Sequence, residues 1–474
     1  MLMEKITGKI SKDSKALDSA LRIEESFDLA SKEIALGDRK AELYFVDAFA
    51  KDEVLEKIIE FLSGLTEKEI GKCADMRDFC SKYVTYSETD ILSDIDDITV
   101  GVLSGTPALL VDGFAQAVMI DARTYPIRSM DEPDSDRVLF GSHDGFTETL
   151  VFNAALIRRR LRDPNLTLKT MKAGKKSRTD IMICYLENMA DKKILSRIEK
   201  KISEINVNTL ALSQQSLAEC LSPKQWYNPF PKVRYTERPD TAVACIAEGN
   251  IIIMVDNSPV GMIVNTGFLD FIQDSNDYYF PPLIGTFLRY VRMVVFVLTM
   301  ILTPIWYLLI KNPEWIPQWL DFIRIEEPVI LPVIVQLLII ELIVDALKLA
   351  SLNTPNSLSG SFSVVGALVL GEFAVNAKWF VAEVVLYMAF VAIANFAQPS
   401  FELGYAFKFS RILLLVLTAF FNLWGFIAGS VIILTLIATN KTVCGRSYLY
   451  PRIPFDKKAL LSLLVRRNIT KSKS

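Results

Sequence analysis

Apolar and polar residues in the first part of the chain are spaced as they are in buried strands and amphipathic helices. Leu43, Phe45 and Val46 follow strand spacing, and the apolar residues from Asp52 to Leu62 recur at helical spacing. Further on, the stretch GTPALLVDGFAQAVMID holds two apolar runs on either side of Asp112 and Gly113, a pattern typical of a β-hairpin. The pattern predicts an α/β module in which a strand leads into a helix and a hairpin follows.

The same order of elements recurs later in the chain. At an offset of 140 residues the positions Leu43, Phe45, Val54, Leu55, Ile58 and Leu62 correspond to Ile183, Tyr185, Ile194, Leu195, Ile198 and Ile202. At an offset of 144 residues Gly105 corresponds to Gly249 and Asp112 to Asp256. Order, residue type and spacing all agree, so we interpret the two stretches as a duplicated α/β module. A duplicated module indicates a scaffold or an interaction surface more readily than catalysis.

Beyond residue 288 the apolar residues form long runs. Five apolar segments occur, at 291–310, 329–349, 358–375, 379–397 and 412–439. A run of about 20 apolar residues is long enough to cross a bilayer. The predicted fold is an α/β cytoplasmic domain of two similar lobes followed by an all-α multi-span membrane domain of about four or five spans. The expected parts are a helical lead-in at 1–35, a first lobe at 36–135, a basic helix with the second lobe at 136–288, a membrane domain at 289–440 and a basic amphipathic tail at 441–474.

The two halves also differ in charge. Residues 1–288 contain 35 basic and 45 acidic residues, whereas residues 289–474 contain 17 basic and 10 acidic residues. An acidic half joined to an apolar, basic half excludes an ordinary cytosolic enzyme, a secreted mini-protein and a nucleic-acid binder with a large basic face. The first residues, MLMEKITGKISKDSKALDSA, lack the apolar core of a secretory signal, so we expect the acidic half to be cytoplasmic.

The number of apolar segments and the composition of the C-terminal tail predict opposite sides of the membrane for that tail. Five full crossings would put the tail outside, yet its sequence, KKALLSLLVRRNITKSKS, is basic and amphipathic as in a helix on the cytoplasmic face. We expect one segment not to cross fully, and favour the third or the fourth. The fifth, at 28 residues, exceeds a hydrocarbon core of ~30 Å and is expected to tilt or bend near Asn422 to Gly425.

Ionisable and amide groups inside the apolar segments are the best candidates for function, because a charge in a bilayer is costly and tends to face a partner or a water path. On the second segment, Glu341 and Asp345 lie at i and i+4, on one helical face. The candidates for an ion pathway are Glu341, Asp345, Glu372, Glu383, Asn395 and Glu402. Two interpretations stay open: these groups line a cation path, or the carboxylates pair with Lys348, Lys378 and Lys408 and fix helix packing.

One basic concentration lies within the acidic half. A helix predicted to end at Arg162 carries four cations in its last turns: Arg158, Arg159, Arg160 and Arg162. Cations at a helix C-terminus suit the helix dipole, so a solvated helix end is one interpretation. Contact with anionic lipid heads or an acidic partner is the other.

The search for catalytic patterns finds none. The chain has a single histidine, His143, in a polar stretch, and no phosphate-binding glycine loop, nucleophile elbow or zinc-protease motif. The acidic run at 93–98 does not have the spacing of a calcium loop. An enzyme is therefore the least supported class, and no cofactor or metal is expected.

Several long stretches resemble the A-subunit family of spore germinant receptors. They are VLSGTPALLVDG, DGFTETLVFNAALIRRRLRDP, YTERPDTAVACIAEGNIIIMVDNSP, GTFLRYVR, TPNSLSG, VGALVLGEFAV, AEVVLY and QPSFELG. The similarity extends from about Ala41 to Phe455. The segment AIANFAQPSF departs from the small residues and threonine found in the most similar branch of the family, which leaves the pore lining there open.

The resemblance implies a multi-pass protein of the endospore inner membrane, with its N-terminal domain in the cytoplasm on the spore core side, that acts in germination. It further implies homo-oligomers that form or gate a cation pathway, with other spore inner-membrane germination proteins and the lipid bilayer as partners and no nucleic acid. The most similar branch is associated with machinery that moves dipicolinic acid and its calcium. The family's acidic pair falls on Glu341 and Asp345, and its exit motif on Pro399 and Glu402.

Three hypotheses follow. The leading one is a subunit of an oligomeric cation channel or channel-gating complex. The second is a membrane-tethered scaffold that organises germination proteins without conducting ions. The third, an ion-coupled carrier, predicts inverted repeats among the apolar segments, and none is visible.

Overall fold

The computed structural model describes residues 5–47, 49, 52–84, 86–123, 136, 138–222, 225, 227–264, 266–274, 276–325, 330–353, 377–443, 445 and 447–466. The chain forms two compact units. Unit 1 comprises Met1–Pro223 and Val233–Asn265, and unit 2 comprises Lys224–Lys232 and Thr266–Ser474.

The first lobe of unit 1 is a five-stranded antiparallel sheet in the order β1-β2-β4-β5-β3, with helices on both faces. Its elements are α1 (Ile10–Leu21), β1 (Leu29–Leu36), β2 (Arg39–Val46), α2 (Asp52–Ser63), α3 (Glu67–Ile70), α4 (Met76–Tyr83), β3 (Thr89–Leu92), α5 (Ile95–Leu103), β4 (Ala108–Val111) and β5 (Ala117–Ile120). Alternate residues along the strands point to opposite faces of the sheet and contribute to two separate hydrophobic cores. In β2, Leu43 faces α2 to α4, while Tyr44 faces α1 and α5.

The second lobe has the same topology, with strand order β6-β7-β9-β10-β8. Its elements are α6 (Leu150–Arg160), β6 (Leu166–Ala173), β7 (Thr179–Leu186), α7 (Lys192–Ser203), α8 (Ser213–Leu221), β8 (Arg234–Thr236), α9 (Pro239–Ala247), β9 (Ile252–Val255) and β10 (Gly261–Ile263). The predicted strand, helix and hairpin are present in both lobes, so the duplication is confirmed.

The repeat extends to individual hydrogen bonds. Thr7 N donates to Asp13 Oδ1 at 2.9 Å, and 140 positions later Thr147 N donates to Asn153 Oδ1 at 2.7 Å. The hairpin turns are also equivalent, because Gly113 and Asn257 both have positive φ values, of 91° and 62°. Glycine and asparagine are the residues that tolerate this conformation best. The helix before β6, α6, contains Arg158, Arg159 and Arg160 and is thus the counterpart of α1, while Arg162 lies just after its end.

The predicted lead-in at 1–35 is correct only in its helical part. Within it, α1 ends at Leu21 and β1 begins at Leu29 as an edge strand of the first sheet. The sequence LASKEIAL places Leu29, Ile34 and Leu36 in the buried layers and exposes the charged residues between them. This charged strand has few apolar positions, so its composition suggests a helix, whereas pairing with β2 determines its structure.

Unit 2 is helical in the part that the structure describes. Its helices are α10 (Asn276–Tyr279), α11 (Pro282–Lys311), α12 (Val333–Asn353), α13 (Ala382–Phe396), α14 (Phe401–Thr439) and α15 (Lys457–Leu464). Two of them, α11 and α14, are long and apolar enough to cross a membrane, and α13 is a shorter apolar helix. The third predicted segment, 358–375, lies outside the described residues.

The long helix α14 is a hairpin of two arms, 401–421 and 423–439, that reverses at Asn422. This residue has φ 52° and ψ −132°, which no helix contains. A Cβ on Gly425 would overlap Leu417 O, and one on Gly429 would lie 3.7 Å from Leu414 Cα. In a continuous helix Leu414 and Gly429 would be about 22 Å apart. The expected bend near Asn422 is confirmed and is a full reversal. Which segment does not cross fully stays a prediction, and the third segment lies outside the described residues.

Candidate functional site

Four charged side chains meet between two apolar helices of unit 2. Helix α12 contributes Glu341 and Asp345 one turn apart, and the first arm of α14 contributes Lys408 and Arg411, which are three residues apart. Residues at these spacings share one helical face. The sequence therefore places two acids and two bases on facing stripes, and we call these four residues the charge quartet.

Nearly all of the quartet is removed from solvent. Glu341 and Lys408 are each 4% exposed and Arg411 is 1% exposed. Arg411 Nε donates to Glu341 Oε1 at 2.7 Å, and Lys408 Nζ lies 3.6 Å from Glu341 Oε2. Lys408 also forms a close ion pair with Asp345. Each buried charge thus faces an opposite one, as burial in an apolar medium requires.

The quartet also joins a third helix. Arg411 Nη1 donates to Thr299 O of α11 at 2.7 Å. Because Arg411 contacts both α12 and α11, it holds the three helices together. Its planar guanidinium offers several donors in fixed directions, which a lysine ammonium does not.

A small cavity of about 10 Å³ adjoins the quartet, with room for about one water molecule. Asn395 of α13 and Lys348 of α12 line it together with the quartet. Asp345 Oδ1 is buried and has no hydrogen-bond partner among the described residues. The arrangement can hold a water or shift its ion pairs, because one carboxylate oxygen is still available as an acceptor.

The structure brings together three of the six predicted pathway residues: Glu341, Asp345 and Asn395. Glu383 and Glu402 lie instead in the first turns of α13 and α14, where a carboxylate suits the positive end of the helix dipole. Glu372 lies outside the described residues.

Arg411 is the member of the charge quartet that was not predicted from the sequence. Of the lysines proposed as partners, only Lys408 pairs with this carboxylate pair, while Lys348 Nζ lies 5.6 Å from the centre of the Tyr405 ring. A signal was present: Lys408 and Arg411 are two cations at i and i+3 at the start of an apolar run, matching the acids at i and i+4.

The basic helix end in unit 1 divides into buried and exposed members. Arg158 is fully buried: its Nε donates to Asp28 Oδ2 at 2.9 Å and its Nη2 to Ser26 Oγ at 3.1 Å. It therefore joins the second lobe to the first and is not available to lipid or to a partner, contrary to the expectation for this residue. Arg159 and Arg162 are exposed and remain candidates.

Arg160 is engaged as well, with its Nη2 2.5 Å from each carboxylate oxygen of Asp144. Burial would raise the pKa of the Asp144 carboxyl, but hydrogen bonds from Arg160 and Ser142 outweigh it and lower that pKa. The pair anchors the start of the second lobe to its first helix.

Exposed tryptophans collect at one end of unit 2. Trp315 and Trp319 follow α11, Trp379 precedes α13, and Trp424 lies beside the turn of the α14 hairpin. Their exposed fractions are 47%, 76%, 65% and 76%. Contacts link these positions: Asn312 pairs with Asn422 at 2.7 Å, and Gln336 Oε1, near the start of α12, accepts from Val381 N. Tryptophan is enriched at membrane interfaces, so this tryptophan end has the composition of an interfacial belt.

Sequence comparisons with known proteins agree on one family. A family model described as Bacillus/Clostridium GerA spore germination protein matches residues 17–474. Stage V sporulation protein AF of Bacillus subtilis is 35% identical, over 93% of this chain and 89% of its own. The uncharacterized membrane protein YfkQ of Bacillus subtilis is 27% identical, over 90% and 82%, and the spore germination protein GerLA of Bacillus cereus is 28% identical, over 90% and 87%. Among solved structures, the N-terminal domain of the A subunit of the Bacillus megaterium spore germinant receptor GerK3 matches 56% of this chain and 97% of its own, at 20% identity and a TM-score of 0.43.

Proposed function

The chain belongs to the GerA family of Bacillus and Clostridium spore germination proteins, and from this premise we propose that it is a subunit of an oligomeric cation channel, or of the complex that gates one, in the endospore inner membrane. The proposed role is to release ions, together with dipicolinic acid, during germination. The observation that carries the proposal is the charge quartet, in which Glu341, Lys408 and Arg411 are buried among apolar helices and Asp345 is partly buried. Such groups are costly in a bilayer and mark ion pathways or gates.

The ion pairs of the quartet correspond to a closed state of the proposed cation path. A carboxylate that accepts from Arg411 and Lys408 cannot at the same time bind a passing cation. Opening would require α12 and the first arm of α14 to separate, so that Glu341 and Asp345 face the path. Asn395 and the small cavity beside the quartet are the first space into which the path would extend.

Two features of unit 2 support its placement in a membrane. The tryptophan end supplies aromatic anchors for one interface. At the other end, Arg289 Nη1 donates to Leu463 O and Arg466 N donates to Thr286 Oγ1. The C-terminal helix α15 thus lies beside the start of α11, as expected of an amphipathic helix on the face from which the first crossing begins.

Ion flux from liposomes containing the purified full-length chain tests the proposal. We expect wild-type protein to release K⁺ faster than empty vesicles do, and with a preference for K⁺ over Cl⁻. The double substitution Glu341→Gln with Asp345→Asn should lower that preference, since charge along a path sets selectivity. Glu314→Gln, in the exposed loop after α11, is the matched control and should leave it unchanged. Release no faster than from empty vesicles would refute a conducting role for this chain alone.

The second candidate function is a membrane-tethered scaffold, which the complete pairing of Glu341 favours. A carboxylate held by two cations is suited to fixing helix packing. Under this hypothesis, neutralising Glu341 together with Arg411 leaves germination of spores unchanged, because the pair is removed as a unit. Substitutions at the exposed Arg159 and Arg162 would then abolish recovery of partner proteins from spore membranes.

A further inference from the structure

The two lobes of unit 1 share a fold but differ in charge. The first lobe, 5–123, contains 24 acidic and 15 basic residues, whereas the second, 138–222 with 233–264, contains 13 acidic and 16 basic residues. The contrast is concentrated in one equivalent stretch of two strands and a helix. Residues 29–63 contain 8 acidic and 5 basic residues, and residues 166–203 contain 4 acidic and 10 basic residues. Duplication has therefore produced two similar surfaces of opposite charge.

The acidic surface is the outer side of α2. Glu53, Glu56 and Glu60 are exposed and form no ion pair with any residue that the structure describes. Phe61, one turn beyond Lys57 on the same side of the helix, is 46% exposed. We call this side of α2 the acidic face; it presents three carboxylates, one lysine and an exposed apolar residue.

The basic surface is the outer side of α7. Lys193, Arg197 and Lys200 are exposed and lie at i, i+4 and i+7, on one side of this helix. Lys200 Nζ also lies 3.8 Å from Glu204 Oε1, in an exposed pair. We call this side of α7 the basic face; at the offset of 140 residues its cations correspond to Glu53, Lys57 and Glu60 of α2.

We propose that the acidic face of one copy of this chain binds the basic face of the next copy. Opposite potentials on facing surfaces favour association and fix its register. Because the two faces are different surfaces of one chain, the contact is head-to-tail and repeats from copy to copy until a ring closes. The contact between lobes within one chain uses other residues, around Asp28 and Arg158. The inference deepens the proposed function, since it rests on self-assembly of the subunit.

A second copy fits these observations better than a membrane surface does. Anionic lipid would account for the basic face but would repel the acidic one, whereas a second copy engages both. The equivalence of α2 and α7 within the repeat explains how one duplication supplied both halves of the contact.

Charge reversal in the full-length chain, purified in detergent, tests the proposal. The first variant carries Glu53→Lys and Glu60→Lys, and the second carries Lys193→Glu and Lys200→Glu. Light scattering after size exclusion reports the mass. We expect each variant alone to need at least about tenfold more protein than wild type to assemble, because like charges then face each other. An equimolar mixture of the two should assemble again, and so should one chain carrying all four changes. Glu24→Lys with Glu88→Lys makes the same change in net charge on exposed residues elsewhere in the first lobe and should assemble like wild type.

The possible outcomes distinguish a failure of the proposed interface from a failure of self-assembly itself. Variants that assemble like wild type would overturn the interface but leave self-assembly standing. A wild-type chain that stays monomeric in detergent and in liposomes would overturn self-assembly and the interface together. If only the lysine reversal has an effect, and only in liposomes that contain anionic lipid, the basic face binds lipid and the proposal is wrong.

Discussion

Four arginines are buried in the part of the chain that the structure describes, and each lies beside a carboxylate. The pairs are Arg158 with Asp28, Arg238 with Asp240, Arg289 with Asp277 and Arg411 with Glu341. A buried guanidinium needs such a partner because removal from water costs several kcal/mol per ion. A pair of this kind adds little net stability, but it defines which elements must meet. Arg158 therefore specifies how the two lobes of unit 1 join.

Asp28→Ala should weaken that junction. The substitution leaves Arg158 buried without its carboxylate, which costs about 3–5 kcal/mol. Hydrogen–deuterium exchange of the full-length protein should show lost protection in β1 and β6, the strands next to the pair. Adding Arg158→Leu should recover part of that protection, since the unpaired charge is then gone. Asp38→Ala, at an exposed turn, is the control, and equal exchange in Asp28→Ala and Asp38→Ala would contradict this role.

At the scale of elements, the reversal within α14 depends on contacts at its turn. Lys311 Nζ donates to Ala419 O at 2.5 Å and to Thr418 O at 3.2 Å, which satisfies carbonyls at the end of the first arm. Asn312 and Asn422 exchange side-chain hydrogen bonds at 2.7 and 2.8 Å. The end of α11 thus caps the turn of the hairpin, while Gly425 and Gly429 let the two arms approach closely.

Gly425→Ala should disrupt the hairpin. The added Cβ would overlap Leu417 O, and because this atom belongs to the backbone there is little room to adjust. Overpacking of this kind costs about 1–3 kcal/mol and occasionally more. We expect a lower midpoint of thermal unfolding in detergent, followed by tryptophan fluorescence. Ala428→Leu, on an exposed side of the same arm, should melt like wild type. An unchanged midpoint for Gly425→Ala would show that the arms do not pack as described.

These elements also show where sequence reasoning succeeds and where it stops. The duplicated strand, helix and hairpin could be predicted because apolar spacing is local and occurs twice. The pairing of β1 and the link from Arg411 to Glu341 join residues far apart in the chain, so local periodicity carries no sign of them. Asn422 marked a bend, but one asparagine in an apolar run does not distinguish a tilted helix from a reversal. That distinction depends on α11, which supplies the capping groups.

At the scale of the whole molecule, charge is divided in three ways: between the two halves of the chain, between the two lobes of unit 1, and between the surface of unit 1 and the interior of unit 2. The chain pairs an acidic half with a basic half, and within the acidic half one lobe is acidic and the other carries a basic surface. Charges in unit 2 behave differently, because the quartet cancels its own charge inside the helices. Surface charge in unit 1 is thus suited to steering partners, whereas buried charge in unit 2 is suited to holding or releasing helices.

The hairpin in α14 predicts the side on which the chain ends. Its second arm returns from the tryptophan end, and α15 then lies beside the start of α11. Residues just before α11 and the C-terminal tail should therefore face the same side of the membrane, with the loop after α11 on the other. In a chain whose native cysteines are replaced by alanine, a cysteine at Trp319 should react with an impermeant maleimide from the outer side only. A C-terminal tag should be cleaved by protease only after the membrane is opened to the inner side. Reaction of Trp319→Cys and cleavage of the tag from the same side would mean that α14 crosses once, as a single continuous helix.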